Sequence, residues 1–60
     1  MKKLKIIREE LGITTEELSL RSGVPAKRIT AIENGEGALR SKELLSLAKA
    51  MNVLVDAFFD

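Results

Sequence analysis

Apolar residues recur three and four positions apart along the whole chain, and no segment sustains a period of two, so the pattern predicts helices and no strands. Leu4, Ile7 and Leu11 mark one face of a first helix. Gly12 follows where a C-terminal stop needs positive φ. Thr14-Thr15-Glu16-Glu17 fits a capping box that opens a second helix over about residues 15–22: Thr14 accepts from the amide three residues on, while Glu17 reaches back. The two glutamates also suit the positive end of a helix dipole. Leu18 points inward and Gly23 ends this helix. Val24 reads as a buried turn residue. Pro25 presets φ for a third helix over about residues 25–34, with Ile29 and Ile32 as its buried stripe and Asn34-Gly35 as its stop. Residues 36–40 form a loop, and Ser41 is expected to cap a fourth helix with Leu44, Leu47, Ala48 and Met51 inside. Asn52 suits a left-handed C-terminal position, and Val53 to Phe59 is expected to close the chain as a short fifth helix. The expectation is an all-α, compact five-helix domain spanning residues 1–60, with no internal repeat or linker.

Composition narrows this picture. A chain of 60 residues buries only about 60% of its unfolded surface, so its stability is expected to be marginal, ~3–5 kcal/mol. With no cysteine, disulfides are excluded, and a soluble cytoplasmic protein is the default. Arg8-Glu9-Glu10 breaks the apolar run that Met1-Lys2-Lys3-Leu4-Lys5-Ile6-Ile7 begins, so no signal-peptide core forms there. The net charge of +1 is weak support for a polyanion partner. Residues 1–40 carry eight Lys/Arg and six Asp/Glu, and residues 41–60 carry two and three, so any positive footprint must come from placement.

Candidate chemistry is sparse. The adjacent pairs Glu9-Glu10 and Glu16-Glu17 diverge on a helix and read as solvated faces and caps. Gly35-x-Gly37 starts like a dinucleotide fingerprint, but Arg40 takes the third glycine position and no strand precedes it. Asp56 and Asp60 have nothing nearby to complete a metal site. The sequence therefore implies no enzyme, no catalytic residue, no metal and no cofactor. The second and third helices, joined by a tight turn, instead form a helix-turn-helix, whose second helix can enter the major groove of DNA. With Ile29 inside, Pro25, Ile32 and Glu33 fall on the inner side of the third helix. Lys27, Thr30, Ala31 and Asn34 cluster opposite, flanked by Ala26 and Arg28. Such a face allows close approach to base edges, with Lys27 able to donate to guanine and Arg28 to reach a phosphate. An ordinary solvated helix face is the competing reading.

The whole chain, over roughly residues 4 to 59, resembles the phage repressor and Cro-like (XRE-type) helix-turn-helix family. The carriers are Leu4-x-x-Ile7-Arg8-x-x-x-Gly12-Ile13-Thr14, Glu17-Leu18, Gly23-Val24, Ile29-x-x-Ile32-Glu33-Asn34-Gly35, Leu44-x-x-Leu47-Ala48-x-x-Met51-x-Val53 and Asp56-x-Phe58-Phe59. The resemblance implies double-stranded DNA as partner, with the third helix as recognition helix. It assigns base-facing positions to Ala26, Lys27, Thr30 and Ala31, and phosphate contacts to Thr15, Arg28, Asn34 and Arg40. Arg8 and Glu33 match positions that often form an ion pair, read here as structural because a lone carboxylate inside would be costly. Pro25, Ala26, Ala31 and Glu36 depart from the family pattern by removing donors or adding negative charge.

Ile6, Leu45 and Leu54 look less buried on the helical pattern. With Phe58 and Phe59 they suggest an apolar edge for a homodimer contact or for docking onto a further domain or protein partner; scattered surface hydrophobes are the plainer alternative. The sequence thus supports a transcriptional regulator, a repressor among other roles, that binds specific DNA as a dimer, an arrangement that would also enlarge a marginal core. The alternative is a degenerate helix-turn-helix used as a protein-protein interaction module.

Overall fold

The structure, a computed structural model, describes residues 1–59. Four α-helices and one 3-10 turn follow in order: α1 (Lys2–Glu10), α2 (Thr15–Ser22), α3 (Ala26–Glu33), α4 (Ser41–Met51) and the 3-10 turn Val55–Phe58. No strand occurs among the described residues. None of the helices is long and apolar enough to cross a membrane.

The stops are local and covalently simple. After α1, Gly12 at φ 71° lets its own amide reach Glu9 O and the Ile13 amide reach Arg8 O, the paired bonds of a Schellman motif. Gly35 and Asn52 repeat this arrangement after α3 and α4, and Gly23 closes α2 with a single bond to Ser19 O. Thr14 caps α2 by accepting from the Glu17 amide at 3.0 Å. The Met1 ammonium donates to Ile32 O at 2.6 Å and Glu33 O at 3.3 Å, which sets a cation against the negative end of α3.

One apolar core joins all the elements. Leu4, Leu18, Ile29 and Leu47 are fully buried at its centre, with Ile13, Val24, Ile32, Leu44, Ala48, Met51 and Phe58 around them. Helix α2 packs on α3 and α4, α1 packs on α3, and the 3-10 turn closes against α1 and α4.

One expectation is refined and two are corrected. The short fifth helix is a single 3-10 turn, because Leu54 is extended and four residues are too few for an α-helical ladder. Leu11 is half-exposed: the inward line of α1 runs from Leu4 to Arg8, one turn apart, and the chain reverses at Gly12 before Leu11 can pack. Ser41 is the first residue inside α4, and the extended Arg40 holds the cap position, its amide donating to Glu43 Oε1 at 3.4 Å.

Candidate nucleic-acid interface

Helix α3 divides cleanly around its axis. Ile29, Ile32 and Glu33 are buried, whereas Lys27, Thr30 and Asn34 are exposed. Pro25 fixes the start of the helix from the cap position at φ −56°. Lys27 has no intramolecular partner among the described residues, so its ammonium is available to a ligand. Ala26 and Ala31 are half-buried at the edges of this face, offering methyl groups and no donors.

The inner side of α3 is anchored by charge. Arg8 Nε donates to Glu33 Oε2 at 2.7 Å and Nη2 to Glu33 Oε1 at 3.2 Å, while Nη1 donates to Ile13 O at 2.8 Å. The two side chains are 10% and 5% exposed. The hydrogen bonds to Glu33 outweigh the desolvation of burial and hold the guanidinium pKa above its ordinary value, so Arg8 remains charged. Among the described residues, no buried side-chain nitrogen or oxygen lacks a partner.

Arg28 differs from its expected setting. Instead of standing free toward a ligand, its guanidinium grips Glu43 at the start of α4, through Nε to Oε2 at 2.9 Å and Nη2 to Oε1 at 3.0 Å. Nη2 also donates to the carbonyl of Ala38 in the loop between α3 and α4. The hydrogen bond from Arg28 outweighs the opposing desolvation and, with the positive charge of Arg28 and the amide and charge of Arg40, holds the Glu43 carboxyl below its ordinary value. Sequence reasoning passed over Glu43. Nothing adjacent to it in the chain marks a partner 15 positions away.

Thr15 is half-buried at the first position of α2, beside the capping Thr14. Asn34 is exposed at the C-terminal cap of α3. Arg40 is exposed and shares an open groove with Pro25, Arg28, Ala38 and Glu43. At the far end of the chain, Leu54 and Phe59 are exposed, 79% and 52%. Phe58 is corrected: it is a core residue and not part of an edge, because the 3-10 turn rotates it inward. Leu20 on α2, 88% exposed, lies two positions from the buried Leu18 and so on the opposite side of the helix, a placement the sequence reading did not use. No group of acidic side chains among the described residues is arranged to hold a metal, and Asp60 lies outside the described residues.

A tight turn thus joins two short helices, and the second shows a polar outer face over a fixed inner one: the class defined is a helix-turn-helix domain. The family model described as helix-turn-helix matches residues 4–58, and the chain belongs to this phage repressor-like (XRE-type) family of DNA-binding transcription regulators. No curated protein and no solved structure gives a significant match.

Proposed function

We propose that this chain binds specific double-stranded DNA sequences as a cytoplasmic transcriptional regulator, with α3 in the major groove and a second copy completing a homodimer. The observation that carries the reading is the division of α3, whose buried side is locked by Ile29, Ile32 and Glu33 while Lys27 and Thr30 stand outward. In this reading Lys27 reads a guanine, Thr30 donates or accepts at a base edge, and the methyl groups of Ala26 and Ala31 meet thymine methyls. Thr15, Asn34 and Arg40 hold phosphates, Thr15 with help from the free amides of the α2 N-terminus. Leu54 and Phe59 supply the dimer edge, which would set two recognition helices about one DNA turn apart.

The test is selection of duplexes from a random pool at about 150 mM salt, near physiological ionic strength, followed by sedimentation with and without the selected site. Lys27→Ala should cost ~1–3 kcal/mol on the selected duplex and less on an unrelated one. Leu54→Glu should weaken self-association. Equal binding of all duplexes, or a Lys27→Ala variant as tight as the parent, overturns the reading. A protein-interaction module on the same scaffold is favoured by one observation, the largely exposed Leu20 and Leu54. It predicts no salt-sensitive DNA binding.

A further inference from the structure

Residues 34–42 are exposed without exception, so apolar burial does little to fix the connection from α3 to α4. Its ends are tied: the Glu36 amide bonds Ala31 O at 2.8 Å, and the Arg40 carbonyl accepts from the Leu44 amide at 3.1 Å. Between those ends, the hydrogen bond that reaches the loop comes from Arg28, to the Ala38 carbonyl. The same guanidinium lies over Gly37, where a Cβ would come within 3.1 Å of Nη1, and it is itself held by both oxygens of Glu43. Arg28 therefore links three separate pieces: the recognition helix, the middle of the loop and the first turn of α4.

We propose that Arg28 and Glu43 form a clasp that presets this loop, and with it Arg40, for the phosphate backbone, so that Arg28 is a positioning residue and not a phosphate contact. The proposal rests on the DNA-binding reading above. Its physical basis is preorganisation: a loop already ordered in the free protein does not have to be ordered on association. A guanidinium engaged in a two-pronged carboxylate pair and a carbonyl bond has few donors left for a phosphate.

The clasp and the direct-contact alternative differ in sign. Glu43→Gln removes a negative charge near the polyanion, which by simple electrostatics should strengthen binding. If Glu43 instead holds the loop through Arg28, the same change weakens it. Binding of a selected duplex is measured across a salt series for Arg28→Gln, Glu43→Gln and the double variant, at a temperature where circular dichroism shows each fully folded. The clasp predicts that all three weaken binding by a common factor, about tenfold for a loop that must now be ordered on association. It also predicts an unchanged salt slope. Tighter binding by Glu43→Gln overturns the proposal, as does a salt slope lowered by about one unit in Arg28→Gln, the mark of a lost phosphate contact. Backbone amide order parameters from NMR relaxation of the free protein give a second measurement. Gly37, Ala38 and Leu39 should be less ordered in either single variant than in the parent, and equal values overturn the clasp. If the parent binds no duplex, the DNA-binding reading fails, while the order parameters still decide whether the clasp exists.

Discussion

Breaking the Arg8–Glu33 pair from one side should be far more damaging than removing it whole. In Arg8→Met, Glu33 loses the donor of both hydrogen bonds to its carboxylate, on a side chain only 5% exposed. In Glu33→Leu, the guanidinium keeps its bond to Ile13 O but leaves Nε and Nη2 without the carboxylate. A stranded buried charge costs ~3–5 kcal/mol, against ~3–5 kcal/mol for the whole domain, so each single variant should be substantially unfolded at room temperature. The double variant Arg8→Met/Glu33→Leu strands no charge. It loses the donor to Ile13 O, about 1 kcal/mol or somewhat more, and gains apolar surface inside. The double variant should therefore be more stable than either single, with a coupling of about 3 kcal/mol or more. Urea titrations followed by far-ultraviolet circular dichroism measure this, with sulfate added to raise the folded baseline of the single variants. Single variants that each cost under about 1 kcal/mol, or effects that simply add, would refute the reasoning.

Three other outcomes follow from the geometry. Because Arg28 holds the Glu43 carboxyl below its ordinary pKa of 4.5, the pair's contribution is complete above that pH and fades as pH falls through the lower folded value. The stability gap between the parent and Glu43→Gln should accordingly narrow on acidification, and a constant gap would contradict the pairing. Gly23→Ala places a Cβ at φ 78° in open space, so its cost of ~1–2 kcal/mol should be wholly backbone strain, read as a lower melting temperature with an unchanged folded spectrum. In dilute, monomeric protein Phe58→Ala should cost ~3–5 kcal/mol while Phe59→Ala stays within about 0.5 kcal/mol, a contrast that thermal melts resolve at once.

Helix boundaries were largely legible because glycine and asparagine punctuate them. Gly12, Gly23, Gly35 and Asn52 all adopt the left-handed conformation that their types favour, and each sits one or two residues past the end of a helix. The capping Thr14 was equally plain, although Glu17, expected to reach back to it, pairs with Arg21 instead. Facing was harder. Leu11 fits the inward apolar spacing and Phe58 stands beside Phe59 at the expected edge, but chain reversals at Gly12 and Asn52 decide which way each turns, and those depend on what the next element packs against. The Arg28–Glu43 pair lay beyond reach for a related reason. Nothing in a run of adjacent residues says that a cation on α3 will meet a carboxylate across a loop, whereas the inward position of Glu33 on its own helix already called for a partner.

The strict division of α3 has an evolutionary consequence. The side chains that hold the helix in place, Ile29, Ile32 and Glu33, share no position with those that face outward, Lys27, Thr30 and Asn34. Substitutions on the outward set should change stability only slightly. On the proposed DNA-binding reading, that outward surface can be rewritten one residue at a time on a scaffold with little stability to spare, and a new sequence preference would not wait for a compensating change inside.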